Sequence, residues 1–126
     1  MSFATDIYQI MTADSSLNSA LGGIYHEHLP HDADIQNDYA VFTYRKSEQF
    51  DVFGAKDTLG DYDIYVIVIS QSPYSRETLS DSIRAYMNGA TYGGIRDIRF
   101  EQENKSKELD ENIYMNTLEF RAFYEN

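Results

Sequence analysis

The segment that most constrains the fold is residues 62–70, because apolar side chains fall on both of its faces. Its alternating sets are Tyr62, Ile64, Val66, Val68 and Tyr65, Ile67, Ile69. A strand that is apolar on both faces is typically covered on both, so we expect this one at the centre of a sheet. Ser72 and Pro73 follow as a cap and a first-turn residue, which predicts a helix over residues 73–88 that ends at Gly89.

Hydrophobic periodicity predicts the remaining elements. Phe3, Ile7, Ile10 and Met11 share one face of a helix over residues 3–14, with Asp6 in its first turn where the helix dipole favours an acid. The strands are predicted at residues 24–29, 39–46, 62–70, 95–102 and 113–124. Helices are interspersed among strands without strict alternation. The sequence therefore predicts one α+β domain over residues 1–126, a mostly antiparallel sheet of about five strands with two principal helices packed on it.

Two segments are predicted to protrude from this domain. Residues 49–60 place Phe50, Val52 and Phe53 among glycines and charged residues, and we assign these three, with Tyr25 on the short edge strand, to an interface. Residues 103–111 are too long and too charged for a tight turn, so we expect an exposed acidic loop there. Its acids are Glu103, Glu108, Asp110 and Glu111.

The charge balance excludes several partners. Ten Lys and Arg against 21 Asp and Glu give a net charge of −11, which argues against binding to nucleic acid phosphates or to anionic lipid. Such a surface keeps the protein soluble, and it would also repel DNA that slides past it. The chain has 11 tyrosines, more than one small core needs, and tyrosine is enriched at protein interfaces.

Chemistry-bearing motifs are scarce. The chain has no cysteine, no nucleophile elbow and no phosphate-binding glycine loop, so we expect no enzyme and no cofactor. The longest apolar stretch, residues 65–69, is far too short to cross a bilayer, so we expect no membrane span. The three histidines lie close together, at His26, His28 and His31, with Glu27, Asp32 and Asp34 nearby. Two histidines on one face of a strand are compatible with a metal site. An exposed edge strand with merely polar histidines is the simpler interpretation, and we favour it.

The order of segments resembles the phage tail-completion and tail-terminator family. The resemblance is carried by Leu-Gly-Gly-Ile-Tyr and Leu-Pro within residues 21–30, by the aromatic strand of residues 39–44, and by the apolar strand of residues 65–70 that leads directly into a helix. Gly94 and Ile95 then match the family's next Gly-Ile pair. The resemblance spans essentially the whole chain.

This resemblance implies a structural virion protein, assembled in the host cytoplasm and located at the head-proximal end of the tail. It would form a ring, six-fold in the family, through which DNA passes without specific binding. Its partners would be other copies of itself, the tail tube protein and the head-tail connector proteins. The alternative is a small acidic inhibitor that mimics DNA. A mimic needs carboxylates in a regular two-strand stripe, whereas here acids alternate with Arg96, Arg99, Lys105 and Lys107.

Overall fold

The structure is a computed structural model that describes residues 3–13, 23–27, 37–48, 59–108 and 113–125. Within these ranges the chain forms two α-helices and five β-strands, so the predicted α+β class is confirmed. The elements in chain order are α1 (Phe3–Thr12), β1 (Gly23–His26), β2 (Tyr39–Glu48), β3 (Leu59–Ser70), α2 (Pro73–Met87), β4 (Ile95–Glu108) and β5 (Ile113–Glu125).

The five strands form one mixed sheet in the order β1-β2-β3-β5-β4, with β3 at its centre as predicted. β1 runs parallel to β2, with Ile24 beside Ala40. The other three pairings are antiparallel, with Val66 beside Phe42 on one side and Leu118 on the other. The sheet is therefore mostly antiparallel, as the sequence predicted.

The core lies between the two helices and one face of this sheet. Alternate residues of the three inner strands are fully buried there, and both helices contribute their apolar stripes. The largest buried side chains are Phe42, Phe120, Ile7, Met11, Ile64, Ile83, Met87, Ile95, Ile98, Leu118, Val66 and Val68. Burial of these side chains is the main source of stability, at roughly 25 cal/mol per Å² of apolar surface.

The second face of β3 differs from the prediction. Both helices pack on the face that carries Ile64, Val66 and Val68, whereas Tyr65, Ile67 and Ile69 on the opposite face are only half-buried. The apolar pattern correctly indicated a central position. In the described part of the chain, helices cover only one side of the strand.

The predicted acidic loop is also partly wrong. β4 does not end at Gln102 but continues to Glu108, which pairs with Ile113 of β5. Glu103 therefore belongs to a strand. The backbone of Glu108 ends that strand, and Asp110 and Glu111 lie outside the described residues. The loop prediction failed because the added strand is polar on both faces and gives no hydrophobic alternation.

Local signals explain where α2 begins and ends. Ser72 has an extended backbone and its Oγ accepts a hydrogen bond from the Ser75 N–H at 3.2 Å, with proline at the first helical position. At the other end the Asn88 N–H donates to the Arg84 carbonyl, and Gly89 adopts a φ of 84° that glycine tolerates without strain.

Candidate functional site

The structure describes two of the residues that the sequence assigned to function, Tyr25 and Glu103, together with their side chains. Of the others, Phe50, Val52, Phe53, Asp110 and Glu111 lie outside the described residues, and Glu108 is described only as the backbone end of β4. Their interface and lumen roles stay predictions. The geometry of the described residues defines instead two sheet edges, a braced hairpin and a charged row.

Tyr25 lies on β1 on the face away from the helices, opposite in direction to the buried Ile24. Its ring folds back over Gly23, where a Cβ would come within 2.7 Å of the ring atoms, and it lies 6.0 Å from the Tyr39 ring. Tyr25 is half-buried by these contacts. Part of its ring therefore packs within the chain, and part stays accessible to a partner.

Glu103 lies in the hairpin formed by β4 and β5. Its Oε2 accepts a hydrogen bond of 2.9 Å from the Asn116 Nδ2, and Asn116 is fully buried on the face that carries the helices. This bond places the Glu103 carboxylate on the helix-bearing side of the hairpin. The Glu103 side chain is otherwise exposed.

The hairpin is braced by the first turns of α2. The Arg76 guanidinium lies 5.5 Å from the centre of the Tyr114 ring, and the Lys105 Nζ donates to the Glu77 Oε2 at 2.8 Å. The Lys105 hydrogen bond is the main cause that lowers the pKa of Glu77, and the same bond raises the pKa of Lys105. Because both groups are exposed, solvent screens their attraction, and the pair adds little to stability. Its main effect is to orient the two side chains towards each other.

The edge of β4 is covered only over a short stretch by the C-terminal end of α2. The Gly89 N–H donates to the Ile98 carbonyl at 2.6 Å, and the Asn88 Oδ1 accepts from the Phe100 N–H at 3.0 Å. The Arg84 guanidinium lies 4.0 Å from the centre of the Phe100 ring. These contacts seal the edge at residues 98–100, where a helix end supplies the missing partners.

A row of charged residues crosses the helix-free face at the opposite end from the hairpin tip. Arg45 of β2, Asp63 of β3, Arg121 of β5 and Arg99 of β4 are successive cross-strand neighbours. The Arg45 Nη2 lies 3.1 Å from the Asp63 Oδ2, and the Arg121 Nε lies 3.7 Å from the Asp63 Oδ1. Three arginines surround the one carboxylate of this row, so the described part of this face does not present the continuous acidic stripe that a DNA mimic requires.

The tyrosines divide between the core rim and the surface. All 11 lie within the described residues, and only Tyr8, Tyr74 and Tyr92 are exposed. Tyr44, Tyr62 and Tyr124 pack around Phe3, whose ring stacks on that of Tyr62 with centroids 4.0 Å apart. An aromatic cluster at the rim of the core therefore accounts for several of the 11 tyrosines, and an interface role for the others stays a prediction.

His26 is the one histidine that the structure describes. Its ring stacks on Phe42 at 4.9 Å and on Tyr44 at 5.5 Å between centroids. No group of three or more metal-ligating side chains occurs among the described residues, and His28, His31, Asp32 and Asp34 lie outside them. The stacking gives His26 a packing role on β1.

In the described ranges no helix is long and apolar enough to cross a membrane.

Comparisons with known proteins show a similarity in fold but none in sequence family. No protein-family model matches the sequence, and no curated protein matches it. A solved structure matches with a TM-score of 0.81 and 16% sequence identity, and the match covers 99% of this chain and 96% of the other. That chain comes from the virion of a native gene transfer agent particle. Because nearly all of both chains is aligned, the two share a complete fold rather than a common motif.

Proposed function

We propose that this protein is a structural component of the virion of a phage or a phage-like particle, where it caps the tail tube and helps to join the tail to the head. The observation that carries the proposal is the whole-chain likeness in fold to a chain of a gene transfer agent virion. The order of sequence segments, which resembles tail terminators, supports the same role independently of that comparison.

The proposed arrangement is a homo-oligomeric ring, six-fold as in the family that the sequence resembles. DNA passes through its centre, and the tail tube protein and the connector proteins are its neighbours. The net charge of −11 supports a ring that lets DNA pass without adhering, because carboxylates repel phosphates across a Debye length of about 8–10 Å near physiological salt. No catalytic step is part of this function.

The first experiment is native mass measurement of the purified protein, alone and with isolated tail tubes. We expect a closed oligomer at high protein concentration or on the tube end, and electron microscopy should show rings capping tubes. A protein that stays monomeric at every concentration and salt, and does not bind tubes, would contradict the proposal.

The second experiment tests the two segments that the sequence assigned. Changing Phe50 and Phe53 to Ser should leave the fold intact but prevent joining of heads to tails, since aromatic anchors dominate interface energies. Changing Glu108, Asp110 and Glu111 to Lys should permit assembly but slow DNA passage. If the Phe changes unfold the isolated protein, those rings belong to its core and the interface assignment is wrong.

A further inference from the structure

The first uncovered edge of the sheet lies on β4, beyond the stretch that α2 seals. After the β-bulge that follows Phe100, no strand in the described part of the chain lies beside residues 101–108 on the side away from β5. The side chains of residues 101–106 are all exposed. A long uncovered edge presents unpaired backbone groups and is a template for pairing with another strand.

The second uncovered edge lies on β2. β1 covers β2 only as far as Phe42, whose carbonyl accepts from the Glu27 N–H at 2.8 Å. Glu27 has a φ of 77°, which turns the chain away from the strand direction. Among the described residues, no strand lies beside residues 43–48 on the side away from β3.

The directions of the two edges suit a ring. β2, β3, β5 and β4 are successively antiparallel, so β4 runs opposite to β2. In a ring all copies have the same orientation, and β4 of one copy would meet β2 of the next as an antiparallel pair. The contact is heterologous, joining two different surfaces, and this kind of contact closes into rings.

We propose that residues 102–106 of one copy pair with residues 43–47 of the next copy, so that the sheets of all copies join into one closed barrel. This inference rests on the ring proposed above and names the surface that holds it together. Closure removes both open edges, as it does in other β-barrels.

Backbone directions on β2 restrict the pairing. Because the Phe42 carbonyl faces the outer edge, the backbone groups of Tyr44 and Lys46 face the same way, since direction alternates along a strand. Their side chains lie on the helix-bearing face: the Tyr44 ring lies 4.9 Å from Phe3, and the Lys46 Nζ lies 5.8 Å from the centre of the Tyr62 ring.

The outward backbone groups of β4 alternate along the strand in the same way. The Ile98 carbonyl and the Phe100 N–H face outward, and the bulge between Phe100 and Gln102 adds one residue, so the outward groups beyond it belong to Glu103 and Lys105. Their side chains also lie on the helix-bearing face, where Lys105 binds Glu77 of α2. The two edges therefore match in backbone direction and in face.

Charge selects one register among those that remain. Lys46 opposite Glu103 brings opposite charges together and sets Lys105 beside the Tyr44 ring. A shift of two residues would place Lys46 opposite Lys105, and like charges directly across a sheet are destabilising by roughly 0.2–1 kcal/mol. The structure therefore points to pairing of Lys46 with Glu103 of the neighbouring copy.

This register gives the stagger that a barrel needs. Glu103 pairs with Leu118, Leu118 pairs with Val66, and Val66 pairs with Phe42. Glu103 and Phe42 of one copy therefore lie at the same height in the sheet. Pairing with Lys46 of the next copy displaces each copy by 46 − 42 = 4 residues across the four strands β2, β3, β5 and β4. A stagger of one residue per strand tilts the strands by about 35° from the barrel axis. This is close to the 36° strand tilt of the eight-stranded barrel whose shear is also eight.

Engineered disulfides test the pairing, because the chain has no cysteine of its own. In the proposed register, Arg45 faces Asn104 of the next copy in a pair whose Cα atoms are about 4.5 Å apart, within disulfide range. The variant with Arg45→Cys and Asn104→Cys is oxidised under conditions where the protein is assembled. The control is Arg45→Cys with Ser106→Cys, which lies on the same face but two residues out of register, roughly 7–8 Å away.

We expect the first variant to give a ladder of covalent oligomers up to the full ring, and at least fivefold less crosslinking in the control. Rings without crosslinks, crosslinking of the control alone, or a covalent dimer that never extends would overturn this inference while leaving the ring itself standing. A protein that never leaves the monomer would overturn the proposed function as well.

Exchange of the charges at Lys46 and Glu103 provides a second, independent test of the pairing. Lys46→Glu alone or Glu103→Lys alone should raise the protein concentration needed for assembly roughly fivefold, which corresponds to about 1 kcal/mol. The double variant should restore assembly to within twofold of the unmodified protein. Restoration excludes misfolding as the cause of the single effects. Additive losses in the double variant would contradict the pairing of Lys46 with Glu103.

Discussion

Asp6 is an acid in the first turn of α1 that is only 1% exposed. Its Oδ2 accepts a hydrogen bond of 3.1 Å from the N–H of Gly94, in the connection between α2 and β4. A Cβ on Gly93 would come within 2.5 Å of the Asp6 carboxylate, so the backbone there approaches as only glycine permits. The sequence predicted that Asp6 lies in the first turn of α1, where the helix dipole favours an acid. The structure adds that this side chain fastens α1 to a segment 88 residues away.

We expect Asp6→Ala to lower the free energy of unfolding by roughly 1–3 kcal/mol, because the buried Gly94 N–H would lose its acceptor. Asp6→Asn retains an acceptor oxygen and should cost less. Urea unfolding followed by circular dichroism measures both. Asp81→Ala, which removes an exposed acid from α2, is the matched control and should change little. Equal effects of Asp6→Ala and Asp81→Ala would show that the bond to Gly94 is unimportant.

Tyr124 provides a pH-dependent contribution. Burial is the main cause that raises the pKa of its hydroxyl above 10.0, and the nearby charge of Asp6 raises it further. The stabilisation is fully present below about pH 10, where tyrosine in the unfolded chain is protonated. It is lost as the pH rises from there towards the raised pKa, since the unfolded chain releases its proton first.

We therefore expect the unmodified protein to lose stability between pH 9 and pH 11 more steeply than Tyr124→Phe, which has no proton to release. Urea midpoints of both proteins across that range measure the difference. Every other residue is the same in the two proteins, so the comparison isolates the Tyr124 hydroxyl. Parallel pH profiles would mean that the Tyr124 hydroxyl ionises in the folded protein as readily as in the unfolded chain.

At the scale of the elements, α2 is the one whose limits the sequence predicts best. Its N-terminal serine, its proline and its terminal glycine all act through backbone groups within a few residues. Such local signals depend little on contacts with distant parts of the chain. We expect Ser72→Ala to cost about 1 kcal/mol, because the Ser75 N–H loses its acceptor. Ser82→Ala, at an exposed position inside the same helix, should be neutral or slightly stabilising. Thermal unfolding of both variants measures the contrast, and an equal loss in the two would argue against the cap.

β4 shows where the sequence is insufficient. Residues 103–108 contain no apolar side chain, so periodicity gives no indication of a strand there. The strand forms because β5 extends beside it and because α2 contacts it through the Lys105–Glu77 ion pair and through Arg76, which donates to the Ser106 carbonyl. These are contacts between elements far apart in sequence. The length of β5, whose apolar pattern begins at Ile113, was the available signal, since such a strand needs a partner of similar length.

The parallel pairing of β1 with β2 escaped prediction for a related reason. The residues of β1 predict a strand, but neither its partner nor its direction is encoded locally. The same limit applies to the candidate assembly surface: Lys46 and Glu103 are ordinary surface charges in sequence. Their relation becomes visible only once the order of the strands places them on opposite edges of one sheet.

At the scale of the whole molecule, charge and assembly oppose each other. Each copy carries −11, so neighbouring copies in a ring repel one another, while the proposed edge pairing holds them through backbone hydrogen bonds that salt affects little. The ion pair between Lys46 and Glu103 would be weakened by salt, but a single exposed pair contributes at most about 1 kcal/mol. The repulsion involves every acidic group within a Debye length of the contact, and so we expect it to decide the salt dependence.

We therefore predict that assembly strengthens as salt rises, because the screening length falls from roughly 30 Å at 0.01 M to about 8 Å at 0.15 M ionic strength. Sedimentation velocity at fixed protein concentration over that range should show the oligomer fraction increasing. A control in sucrose of matched density separates screening from solvent effects. Assembly that weakens steadily with salt would mean that ion pairs hold the ring. In that case the charged row of Arg45, Asp63, Arg121 and Arg99 would be the surface to vary next, with the edge pairing then contributing little.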